Sequence, residues 1–261
     1  MTTKNLAQGL LLAAVAGLLF TLALVDPADA GRRSRVARGA DRAVPAQDLA
    51  DDSTTLQVAF ITHLEMDLPE QDVFIERVPG SGEVFRVTQG DNDMRAPLYK
   101  TAVMVPHDPF DPKAVGPHPK GEPLGMTLGE WLAHRGTGTY THRDGEGTLA
   151  LEFTGLVPNG VYTMWHAFMA LPPTTPFSGT LDLPLGARDG SESVFVADAQ
   201  GNARFDHSFR PGLQMSDTWT TAMLAINYHS DGKTYGGLPG DFGLNAHVPL
   251  FVMLPPRDGL K

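Results

Sequence analysis

Nine histidines and thirty carboxylates, with no cysteine, carry what chemistry this chain offers. His166 stands in the stretch Leu156-Val-Pro-Asn-Gly-Val-Tyr-Thr-Met-Trp-His-Ala-Phe168. Counting by two from Tyr162 puts Met164, His166 and Phe168 on one face, and Thr163, Trp165, Ala167 and Met169 on the other. Both faces are largely apolar, so the stretch reads as a central strand covered on both sides. His166 is then a buried neutral imidazole giving its N–H to a carbonyl or hydroxyl, or a metal ligand or proton carrier.

His229 ends one apolar stretch and His247 begins another. Paired as a hairpin, the two would bring both rings to the mouth of the loop 230–245, about 4.5–5.5 Å apart. Asp231 and Asp241 would be nearby oxygen ligands. The candidate metal set is therefore His229, His247 and His166 with Asp231 and Asp241, and the candidate ions are copper or zinc. Without cysteine there is no blue-copper thiolate. His107 and His118 share a proline-rich stretch with Asp108 and Asp111, a set that collects metal only weakly.

Signatures of catalysis are missing. Pro79-Gly-Ser-Gly82 is not G-x-S-x-G and reads as a strand turn. Asp231-Gly-Lys-Thr234 ends like a phosphate loop but lacks its glycine spacing, and there is no H-E-x-x-H. Linear spacing does not pair two carboxylates across a glycosidic bond.

The elements holding these residues are short. Gly and Pro together make 49 of 261 residues, which favours many strands joined by turns. Alternation predicts strands at 55–63, 73–78, 83–88, 99–105, 138–142, 148–154, 161–170, 193–198, 203–209, 222–229 and 246–254. Thr127-Leu-Gly-Glu130 fits a capping box opening a helix of about two turns, with Gly136 as its left-handed stop. The stretch 106–125 holds six prolines and reads as an irregular loop. Asp198-Ala-Gln-Gly-Asn202 reads as a hairpin turn with Gly201 at positive φ.

Leu156-x-Pro158-x-x-x-Tyr162 has a physical reason for its spacing. Leu fills a core before a turn, Pro fixes φ at the corner, and Tyr opens the next strand. Its ring packs inside while its hydroxyl bonds backbone a few residues upstream. Gly155, Leu156, Pro158, Tyr162 and Thr163 resemble the tyrosine corner of immunoglobulin-like and fibronectin type III sandwiches. The resemblance implies a Greek-key-like β-sandwich and, because such sandwiches host unrelated functions, implies no activity. Four predicted strands follow the corner where a fibronectin-type domain has about one, so extra strands or another strand order are expected.

The address is legible at the start of the chain. Lys4, the apolar run 10–25 and Ala28-Asp-Ala30 read as a secretory signal peptide cleaved after Ala30, the run being short for the alternative, a membrane anchor of about 20 residues. No cysteine and no N-x-[ST] acceptor occur, which favours a bacterial periplasmic or secreted protein. The formal charge is −10. The signal holds Lys4, Asp26 and Asp29, so the mature chain is −9. Residues 31–50 carry five Arg and two Asp, a net +3, and the body from Asp51 onward is −12. An acidic body argues against nucleic acid, and after signal cleavage no stretch is apolar enough to span a membrane.

The expected organisation is a signal peptide at 1–30, a disordered Arg-rich leader at 31–51, an all-β antiparallel sandwich with one short helix at 52–256, and a tail at 257–261. The expected function is a noncatalytic binding or structural module for an unidentified extracytoplasmic ligand or protein. A histidine-based copper or zinc protein is the alternative, and a hydrolase of an extracellular polymer is a weaker one.

Overall fold

Strict alternation in the middle of the chain decides the architecture. In β7 (Glu146–Thr154), Leu149, Leu151 and Phe153 turn inward while Thr148, Glu152 and Thr154 face solvent. That is the pattern of a sheet with one face on a core. β8 (Val161–Ala170) behaves differently, with every residue from Tyr162 to Ala167 buried. The computed structural model describes residues 53–66, 72–105, 112–170, 181–213 and 220–253. The expected signal peptide, Arg-rich leader and tail lie outside the described residues.

The fold is all-β and antiparallel, built as a sandwich. The front sheet has the order β1 (Thr54–Ala59), β6 (Arg135–Arg143), β7, β11 (Ala203–Phe209). The back sheet has the order β10 (Val194–Val196), β8, β12 (Thr220–His229), β13 (Ala246–Met253), and β9 (Leu181–Pro184) shares the edge of β8 with β10. Val58, Leu149, Leu151 and Phe153 of the front sheet meet Tyr162, Met164, Leu224 and Ile226 of the back sheet in one core. Phe195 stacks between Phe153 and Tyr162 and ties the layers.

A small closed barrel is inserted between β1 and β6. Its strands run β2 (Phe74–Ile75), β3 (Glu83–Arg86), β5 (His118–Thr127), β4 (Pro97–Thr101) around Phe74, Val84 and Val105. This corrects the expected loop at 106–125, whose later part is strand β5. Pro119 and Pro123 lie exposed on it. The ladder to β4 shifts register on either side of the Tyr99↔Pro123 pair, which is how a strand tolerates missing N–H groups. Pro119 keeps its acceptor, taking the Ala102 amide.

Among the described residues two single-turn α-helices occur, α1 (His63–Met66) and α2 (Leu128–Trp131), besides a 3₁₀ turn at Pro112–Val115. The Thr127/Glu130 capping box is present with both reciprocal bonds. The helix is shorter than expected: it stops at Leu132, and Gly136 sits inside β6 against the Phe153 ring. The turn at 198–202 has Gly201 at φ +78°, and the Asp198 carboxylate accepts the amides of Gln200 and Asn202. It is not a hairpin, because β10 belongs to the back sheet and β11 to the front. The turn is a corner between layers, and Gly201 is needed because a side chain there would strike the Leu156 carbonyl.

Candidate functional site

The β12–β13 hairpin forms as the spacing implied, but its register separates the two histidines. Tyr228 stands opposite His247, and His229 opposite Ala246. Neighbours along a strand point to opposite faces. His247 therefore joins Tyr228 and Trp131 at the core end of the sandwich, while His229 lies on the other side of the back sheet, buried beside the Tyr235 ring. A bulge between Ile226 and Tyr228 lets Leu250 and His247 both turn inward.

His247 is wholly buried, and both its ring nitrogens are engaged. Nδ1 lies 2.6 Å from the Asp72 carbonyl. A carbonyl only accepts, so Nδ1 carries the proton and Nε2 accepts from the Ser230 hydroxyl, 2.9 Å away. Asp72, at φ +53°, is the first described residue of the barrel segment. Its carboxylate pairs with Arg86 at 2.7 Å, and Arg86 also reaches the Ala114 carbonyl at 3.0 Å. Both ends of this ion pair are sealed from water. The assembly clamps the barrel to the end of β13.

His229 Nε2 lies 2.8 Å from the Thr163 hydroxyl, which also accepts the Trp165 indole N–H at 2.7 Å. Its Nδ1 is buried without a hydrogen-bond partner. Asp231 is spent on the loop, accepting the Lys233 amide and the Tyr235 hydroxyl. The carbonyl of Asp241 takes the amides of Leu244, Asn245 and Ala246. His166 is buried against Phe168, with Nε2 unpartnered, so the expected bond from that nitrogen is absent among the described residues. His118 opens β5 and meets the Ala114 carbonyl at 2.8 Å. His107, Asp108 and Asp111 lie outside the described residues. Among the described residues no three His, Asp or Glu side chains gather as they would around an ion, and no helix is long and apolar enough to cross a membrane.

Burial governs four of the imidazoles. His134, His166, His229 and His247 are all pushed down to about 4, in each case chiefly by loss of water. At neutral pH they are uncharged hydrogen-bonding groups.

His134 is a histidine that spacing did not single out. Its Nδ1–H goes to the Trp131 carbonyl, and its Nε2 accepts from the Tyr162 hydroxyl at 3.2 Å. That hydroxyl in turn accepts the Val157 amide at 2.8 Å. Burial holds the Tyr162 phenol well above its ordinary value. A second couple repeats the device: Tyr140 accepts the Leu213 amide at 3.0 Å and lies 2.9 Å from His142 Nδ1. In each, a buried phenol accepts the amide of a connecting segment and shares a hydrogen bond with a histidine ring.

One polar surface was also overlooked, though Thr137, Thr139 and Thr141 announce it by period two. On the outer face of the front sheet, Thr55, Thr141, Thr148 and Ser208 stand in register across all four strands. Thr55 and Thr141 hydroxyls are 3.1 Å apart, and those of Thr148 and Ser208 are 2.9 Å apart. The next rows hold Gln57, Thr139, Ala150 and Asp206, then Ala59, Thr137, Glu152 and Arg204. The groove on the outer face of the back sheet, between Trp165, Met223, Asn227 and Phe251, has a volume of only about 30 Å³, far below the roughly 300–1,000 Å³ of a small-molecule site. Comparison with protein-family models, curated proteins and solved structures finds no match.

Proposed function

We propose that this chain is an exported, noncatalytic β-sandwich module that binds an extended polar polymer of the cell envelope, with the outer face of the front sheet as its binding face. The row Thr55, Thr141, Thr148 and Ser208 carries the proposal. Its hydroxyls both give and accept hydrogen bonds, and they repeat at the strand spacing of about 4.8 Å. Glu152, Asp206 and Arg204 add charged acceptors and donors beside them. A glycan presents hydroxyls and amides at comparable density and suits such a face. The leader signals around Lys4 and Ala28-Asp-Ala30 support export.

The test is co-sedimentation of the mature chain with purified peptidoglycan sacculi, cellulose and chitin. Retention on sacculi, lost in a Thr139→Arg/Thr148→Arg variant with an unchanged melt, is expected. Retention on none of the three, or retention that ignores both substitutions, contradicts the proposal.

The copper or zinc reading keeps one specific observation, the unpartnered Nδ1 of His229 with Asp231 as its charged neighbour. Equilibrium dialysis against Zn²⁺ or Cu²⁺ would support it by stoichiometric binding that His229→Ala abolishes. Failure of either ion to bind removes it.

A further inference from the structure

Sheet edges are where a β-protein meets other chains, because their outward N–H and C=O groups lack partners. Almost every edge described here is guarded. The barrel is closed and has none. β10 is three residues long. β9 carries Asp182 and Pro184. β13 carries Pro249 and is crossed by Ile61, which exchanges two backbone bonds with Phe251. β11 carries Arg204 and Asp206. Short length, charge, proline and covering segments are the devices by which sheets avoid edge-to-edge pairing.

Among the described residues β1 has none of them. Its sequence, Thr-Thr-Leu-Gln-Val-Ala, is six residues without charge or proline, and among the described residues it pairs only with β6. The Phe60 amide bonds the Gly136 carbonyl, toward β6. By period two the backbone groups of Val58, Leu56 and Thr54 also point toward β6, and those of Thr55, Gln57 and Ala59 point away. Leu56 is half-buried, as an inward residue at an uncovered margin would be.

We infer that β1 is the edge through which two copies of this chain pair, antiparallel about a twofold axis at Gln57, joining two front sheets into one. The register follows from parity. Gln57 opposes itself, Thr55 opposes Ala59 of the second copy, and Leu56 opposes Val58. Every outward N–H and C=O of Thr55, Gln57 and Ala59 is then paired. Leu56 and Val58 continue the inner apolar face, Thr55 and Gln57 continue the outer polar face, and no charged residue of the strand is brought against another. A shift by one residue would turn Leu56 and Val58 outward, so the pairing specifies its own register. The twofold arrangement is isologous, the commonest form of homodimer. This inference stands apart from the identity of any polymer ligand.

The test is sedimentation velocity of the mature chain over a concentration series, beside Gln57→Lys. The substitution places two like charges directly opposite each other on the axis. The expected result is a concentration-dependent dimer for the wild type and monomer throughout for the variant, with equal melting temperatures at dilutions where both are monomeric. Thr55→Lys serves as a second edge variant, and Thr148→Lys, on the same face but away from the edge, should leave the dimer intact. A wild type that stays monomeric at every concentration overturns the inference, as does a dimer that survives both edge substitutions.

Discussion

On the back sheet, Thr163, Asn227 and His229 turn their side chains to partners inside the protein. On the front sheet, Thr55, Thr141, Thr148 and Ser208 lie at the surface and bond one another in pairs. The same residue chemistry thus has two fates, set by how many faces of the sheet are covered. Where both are covered, a polar side chain must find a partner or destabilise the fold, so its role becomes architectural. Where one is open, hydroxyls already solvated can exchange water for a ligand at little cost. Of the histidines on the two sheets, His166, His229 and His247 belong to the covered one, and His142 and His207 to the one with an open face.

The largest expected effect is acid unfolding. His134, His166, His229 and His247 hold their protons only near pH 4 in the folded chain, against about 6.5 when unfolded. Above pH 6.5 neither state is charged and stability is complete. As pH falls from about 6.5 to 4 the unfolded chain takes up protons first, so stability is lost at about 1.4 kcal/mol per unit for each histidine. All four act in the same direction, so their losses reinforce one another as the pH falls. Urea midpoints measured between pH 7 and 5 should fall steeply, and more gently in His166→Gln. A flat profile across that range would mean these rings are reachable by water.

Next is Trp165→Ala, which empties a fully buried site and removes the indole N–H from Thr163. The expected loss is about 3–5 kcal/mol, read from denaturant melts, and a loss below 1 kcal/mol would show that the outer side of the back sheet is loosely covered.

Smaller effects separate the two tyrosine–histidine couples. Tyr162→Phe leaves the Val157 amide and His134 Nε2 unpaired in a dry corner, a cost of about 1–3 kcal/mol. Tyr140→Phe strands the Leu213 amide, but His142 is half-exposed and water can replace its bond. Its penalty should be the lesser of the two, and the reverse order would place water at the Tyr162 corner.

Several of these features were legible in the sequence because they are local. The alternation of 161–170 located β8 to the residue, and Leu156, Pro158 and Tyr162 located a corner whose hydroxyl bond is present. The capping box read from Thr127 and Glu130 is also there. What could not be read was register and partnership. His229 and His247 flank one loop, yet a single residue of offset sends them to opposite faces. The strand at 118–127 was hidden because its prolines signal a break, and only closure around Phe74, Val84 and Val105 supplies the reason to extend. His134 has no periodic signal, since its two partners come from the turn before it and from a strand some thirty residues later.

The contrast between the sheets is tested most directly by measuring retention on peptidoglycan sacculi for two variants at neutral pH, together with their melts. His247→Ala breaks the clamp to Asp72 and Ser230, and Thr148→Arg puts a bulky charge in the middle of the hydroxyl row. The account predicts that His247→Ala melts lower yet binds like the wild type below its transition, while Thr148→Arg melts normally and no longer binds. Loss of binding in folded His247→Ala, with Thr148→Arg unaffected, would contradict it and move the site to the histidine end of the sandwich.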